Sequence, residues 1–150
     1  MADESGFRDK QAALAEPRDA AWWEKALFAS AVEGDHQVAA ELLARGIPPD
    51  VRTDGDWTPL MVAAQNGHVL VAERLLDHGA DPNAARTHGR TALMSAAASG
   101  ALEVASLLIA RGADTSLADA EGRTAADFAR DAGHDSLVAL LSTRSPSDDA

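Results

Sequence analysis

At 150 residues, with a formal net charge of −11 and no cysteine, the chain has the length of one domain and offers neither a disulfide framework nor thiolate chemistry. Its acidity argues against binding to phosphate backbones, which needs clustered Lys and Arg, so nucleic acid is not an expected partner. The opening Met1-Ala2-Asp3-Glu4-Ser5 lacks the apolar core of a secretory signal, and no apolar run approaches the roughly 18 residues of a membrane span. No membrane partner is expected, and a cysteine-free chain of this kind is compatible with a reducing compartment, here read as the cytoplasm. Arginine far outnumbers lysine, the balance expected of a GC-rich bacterial genome.

Residues 1–19 read as a tail with room for a short helix over Phe7–Glu16, and Pro17 either ends it or starts the next. Asp19 is placed to N-cap a helix from about Ala20 to Val32. Trp23 and Leu27 share a face of that helix, so Trp23 is expected to cover the end of a stack; Trp22 points elsewhere and is available as a contact residue. A second helix over Gln37–Arg45 stops at Gly46, where glycine tolerates the left-handed conformation past a helix end. A loop follows with its tip at Thr53-Asp54-Gly55-Asp56, where Asp56 holds the slot of Gly89 and Gly122, so a different turn is expected there.

Thr58 then caps a helix with Pro59 at its first position, ending before Gly67. The helix from Val69 to His78 carries Val71, Ala72, Leu75 and Leu76 at helical spacing, and both leucines are expected in the core. Leu102, Val104, Ala105, Leu108 and Ile109 repeat the pattern. The last unit turns polar: Asp127 stands where Met94 did, Arg130 where Ala97 did and Ser142 where Ile109 did.

The spacing is constant. Thr58-Pro59-Leu60-Met61 returns after 33 residues as Thr91-Ala92-Leu93-Met94 and again as Thr124-Ala125-Ala126-Asp127; Gly34, Gly67, Gly100 and Gly133 keep the same interval. A 33-residue period around T-P-L-x-x-A-A resembles the ankyrin repeat, over roughly residues 20 to 142. The resemblance implies an all-α fold, an α-solenoid of stacked helix-turn-helix units joined by β-hairpin-like loops. Its divisions would be an N-terminal capping repeat at 20–56, repeats at 57–89 and 90–122, a C-terminal capping repeat at 123–142 and a disordered tail at 143–150. Met61 and Met94 depart from the family's T-P-L-H, which implies a more apolar seam between repeats.

The resemblance further implies a non-catalytic protein that binds another protein, as a scaffold or inhibitor, through the hairpin tips and the concave face of the first helices. Carried over by position, the residue before each Thr gives a column of Trp57, Arg90 and Arg123 at the hairpin bases. These are residue types enriched in binding hot spots. The alternatives are packing of Trp57 on its neighbouring hairpin and, for the arginines, a solvated surface charge or a salt bridge to Asp56, Glu121 or Asp119. The tips add Asp54, Asp56, His88 and Glu121, and the ends of the first helices add Gln65, Asn66, Ser99 and Asp131. The acidic surface favours a partner with a basic face.

No nucleotide-binding, hydrolase or metalloprotease motif occurs, and no histidine pair has metal-ligand spacing, so neither cofactor nor metal is expected and the chain reads as no enzyme. His68 and His134 follow helix-ending glycines, where the family's histidine makes local hydrogen bonds. Two other readings stand beside protein binding: self-association through the Trp22/Trp23 end of a molecule otherwise expected to be a monomer, and an unrecognised enzyme or metal site on the concave face. A capping role for the last unit has a direct consequence. Removal of residues 123–150 should expose Leu108 and Ile109 and cause aggregation, measurable by size-exclusion chromatography; a soluble, cooperatively melting truncation would contradict it.

Overall fold

The computed structural model describes residues 19–143. The expected short helix at Phe7–Glu16 lies outside them, as does the expected tail apart from Thr143, which belongs to the last helix. Among the described residues eight α-helices follow one another: α1 Ala20–Glu33, α2 His36–Ala44, α3 Pro59–Asn66, α4 Val69–Asp77, α5 Ala92–Ser99, α6 Leu102–Ala110, α7 Ala125–Asp131 and α8 Asp135–Thr143. They form four antiparallel-type pairs in which α1, α3, α5 and α7 pack in sequence as one layer and α2, α4, α6 and α8 as a second. Among the described residues there is no strand, only isolated bridges between Ala85 and Thr91 and between Ala118 and Thr124.

Each first helix begins where a side chain can take up an orphan backbone N–H. Asp19 accepts from the Trp22 N–H, as expected, and Thr58 and Thr91 accept from the N–H groups of Met61 and Met94. Thr124 does the same for Asp127, and Asp127 returns the favour by accepting from the Thr124 N–H at 3.0 Å. The polar replacement at Asp127 is therefore a capping box that closes the start of α7.

The core follows the period. Leu42, Leu75, Leu108 and Leu141 form one buried column in the second helices, and Ser30, Ala63, Ala96 and Ala129 another in the first helices. The small residues of the second column let the first helices lie close, at interior packing density. Met61 and Met94 are each 1 % exposed, in keeping with an apolar seam. Leu76 and Ile109 depart from expectation and are only half-buried, because one residue further is a step of about 100° around the helix, away from the buried stripe. Leu102, at the start of α6, is exposed.

The histidines link one pair to the next. His68 Nε2 sits 3.1 Å from the Val32 carbonyl oxygen, across the gap to the preceding pair, so its bond is not local. The ring lies against Gly34, where a Cβ would come within 2.6 Å of Nδ1; Gly34 also has φ +79°. Gly100 meets His134 in the same manner, with a Cβ contact of 2.7 Å. Glycine is needed at both places for conformation and for room.

At the amino-terminal end, Trp22 does not turn away from its neighbour. The two indoles meet edge to face with centroids 4.9 Å apart, both half-buried, and the Arg45 guanidinium lies 5.3 Å from the Trp23 ring centroid. The burial pattern separates two adjacent leucines: Leu75→Ala should cost about 2–5 kcal/mol and Leu76→Ala clearly less, read from denaturant midpoints at unchanged m-value.

Candidate functional site: the hairpin tips

The three connecting loops close with the same backbone bonds. Thr53, Arg86 and Asp119 donate their N–H groups to the carbonyls of Trp57, Arg90 and Arg123, at 3.0, 2.9 and 2.9 Å. Inside each, Asp56, Gly89 and Gly122 donate back to Thr53, Arg86 and Asp119. The slot before the hairpin base is left-handed in all three, with φ +64° at Asp56 and +79° at Gly89 and Gly122. The first tip thus keeps the turn despite its displaced glycine, using an aspartate, a residue that tolerates this region. Arg52 Nη1 and the Thr87 hydroxyl donate to the Asp56 carboxylate at 2.7 and 3.3 Å, which holds the residue in place.

The second tip is the one that differs. His88 is also left-handed, at φ +69°, within a 3-10 turn over Thr87–Gly89. A β-carbon in that region costs roughly 1–2 kcal/mol. The carbonyl of His88 accepts from the Ala120 N–H at 2.8 Å, a bond between the second and third tips that offsets part of this strain.

The expected column of Trp57, Arg90 and Arg123 divides into two aromatic stations. The Arg86 guanidinium lies 4.1 Å from the Trp57 centroid, and those of Arg90 and Arg123 lie 5.0 and 4.6 Å from that of Phe128. Arg86 and Phe128 were not singled out from the sequence. Arg86 could have been found by the period, since it stands in the hairpin position of Thr53 and Asp119; Phe128 stands in the helix position of Val62 and Ser95.

An open groove of about 540 Å³ runs between the tips, and Asp54, His88, Arg90, Glu121 and Arg123 line it together with Arg86. Five of the expected contact residues therefore come together. Asp56 does not line the groove, and Trp57 lines a separate notch of about 240 Å³ with Phe28, Thr53, Val62 and Gln65. Asn66, Ser99 and Asp131 are exposed at the ends of α3, α5 and α7. Asn66 Nδ2 donates to the Val32 carbonyl at 3.4 Å and the Ser99 hydroxyl to that of Ala96 at 3.3 Å. Trp22 lines neither cavity.

The charges are unequally matched. Arg123 is bound by Asp119 at 3.1 Å and by Glu121 at 3.5 Å. Neither Arg86 nor Arg90 has a carboxylate within ion-pair distance among the described residues, and the Nε of each is covered without an acceptor. The Asp119 side chain is 7 % exposed, and its carboxylate accepts the N–H groups of Arg123 and Glu121. The Arg123 N–H is the largest influence holding that carboxyl below its usual range. Arg52 does the same for Asp56, and the Thr124 N–H for Asp127.

Among the described residues no group of three His, Asp or Glu could hold a metal ion, and no helix is long and apolar enough to cross a membrane. Two family models match the sequence: one described as ankyrin repeats (3 copies), over residues 10–86, and one as ankyrin repeats (many copies), over residues 75–129. No curated protein matches the chain.

The depressed carboxyls set the sign of an acid response. A folded pKa below the unfolded value near 3.8 contributes stability that is fully present above that value and is lost as pH falls through the folded one. Asp119→Asn should therefore destabilise the protein at neutral pH, with the gap to wild type closing in thermal melts as the pH falls from about 5 toward 1. A gap independent of pH would assign Asp119 no such role.

Proposed function

This chain belongs to the ankyrin-repeat family, and on that premise we propose that it is a four-repeat, non-catalytic module that binds one partner protein through its hairpin tips and the exposed ends of its first helices. Ankyrin repeats are generally protein–protein interaction modules and typically non-catalytic. The observation that carries the reading is the gathering of Arg86, Arg90 and Arg123 with Asp54, His88 and Glu121 around one groove, beside the Trp57 notch. Backbone bonds hold the loops that carry these side chains, so the contact residues are pre-organised and little ordering opposes binding.

The module acts by occupying or bridging surfaces, as an inhibitor or a scaffold, in the cytoplasm. Its net charge of −11 steers toward it a partner whose wider face is basic, so association slows as salt rises. Gln65, Asn66, Ser99 and Asp131 extend the contact along the first helices.

Affinity capture from host lysate tests the site. Wild type is compared with Trp57→Ala/Arg90→Ala/Arg123→Ala, with the variant's fold verified by circular dichroism. A partner retained by wild type should be lost by the variant, and Trp57→Ala or Arg90→Ala alone should weaken it by about 2 kcal/mol. The same partner retained equally by both would move the site away from the hairpins, and the Trp22/Trp23 end would be examined next. Concentration-dependent size with no partner captured would favour self-association.

A further inference from the structure

We infer that the groove and the Trp57 notch together form a subsite for an acidic peptide segment of the partner: a carboxylate side chain seats on Arg86 and Arg90, and an apolar side chain close to it in sequence seats in the notch. The inference rests on the protein-binding reading and specifies its chemistry.

The groove is far less acidic than the molecule as a whole, its three arginines matching its three acids in number. The chain carries −11, yet Arg86, Arg90, Arg123 and His88 all line this one cavity. Its acids are mostly engaged. Asp119 and the exposed Glu121 are turned on Arg123, and Asp54 stands exposed at the rim. Arg86 and Arg90 lack a carboxylate partner among the described residues. Arg86 spends one Nη on the Gly55 carbonyl at 3.1 Å, and Arg90 has only the Phe128 ring.

Arg86 and Arg90 are half-buried, the Nε of each is covered, and both guanidiniums rest on aromatic rings. That arrangement removes part of their water and fixes their planes before any ligand arrives. A partly desolvated cation attracts an anion more strongly than an exposed one, and the guanidinium fork matches a carboxylate with two parallel bonds. An incoming carboxylate would supply what the two arginines lack.

The apolar half follows from Arg86 and Trp57. Arg86 lines the groove, Trp57 lines the notch, and the two are stacked at 4.1 Å, so this pair is the ridge between the cavities. The notch is walled by Phe28, Trp57 and Val62, and Val32, further along α1, is 54 % exposed. One short segment can therefore meet both chemistries across a single side-chain pair.

The test is a random peptide library displayed on phage, selected on the full chain. Enriched peptides are then measured by fluorescence polarisation against wild type, Arg86→Gln/Arg90→Gln and Trp57→Ala. The expected result is enrichment of Asp or Glu beside an apolar residue, with binding weakened about 10-fold or more in the double glutamine variant. Trp57→Ala should weaken it as well. Should the double variant fail to fold, Arg90→Lys serves in its place, because it keeps the charge but not the fork and should still weaken binding several-fold. Enrichment of Lys- or Arg-rich peptides, equal binding by the variants, or no enrichment at all would overturn the inference. Basic peptides that depend on Trp57 would do so while leaving the hairpin site intact, whereas failure of the lysate capture bears on the protein-binding reading itself.

Discussion

Each helix pair depends on its neighbours for its core. A pair of eight- or nine-residue helices has two apolar faces and can cover only one of them internally. The Leu42, Leu75, Leu108 and Leu141 column is buried where neighbouring pairs stack, and the small residues of the first helices admit that approach. Constant spacing is a consequence. A one-residue insertion within a helix would turn every later side chain by about 100° and carry these columns out of the interface.

The same register dictates the backbone of the tips while leaving their side chains free. Thr53/Trp57, Arg86/Arg90 and Asp119/Arg123 are chemically unrelated pairs, yet each closes its loop with the same N–H to carbonyl bond. The side chains of Thr53 and Asp119 also accept the N–H of Trp57 and Arg123. Arg86 has no acceptor to offer. The second loop lacks that seal, takes a 3-10 turn with His88 left-handed, and is tied to the third tip through Ala120. The individuality of the protein thus lies where the fold places few demands on side-chain type.

That division explains what could be read from the sequence. The helix starts at Asp19, Thr58 and Thr91, the glycine stops and the two-layer helical order all depend on local chemistry repeated at a fixed interval, and all were legible. The core was legible to within one helical step, which separates Leu75 from Leu76. Five of the groove residues were legible as positions in a repeat. Their partners were not, since the stacking of Arg86 on Trp57 and of two arginines on Phe128 depends on rotamers and, for Arg86 and Arg90, on rings in a neighbouring repeat. Asp127 was read only as a polar replacement of Met94; the capping box becomes visible when it is compared with Thr124 three residues before it.

The charge of the chain acquires a different meaning once the acids are located. Asp19 and Asp35 cap helices, Asp50 accepts the Asp81 N–H from the next loop, Asp114 seals a turn through Ser116, and Asp119 seals another through Arg123. These carboxylates are building parts of caps and turns, and their number follows from how many such places a repeated loop contains. The net charge therefore reports the architecture before it reports a ligand. At long range it still repels anions, but that field is screened within about 10 Å at ordinary salt. Inside the groove the guanidiniums of Arg86 and Arg90 rest on aromatic rings without a carboxylate partner among the described residues, while Asp54 stands exposed at the rim. Contact-range electrostatics beside these two arginines therefore differs from the far field of the molecule, and contact range is where a side chain is recognised.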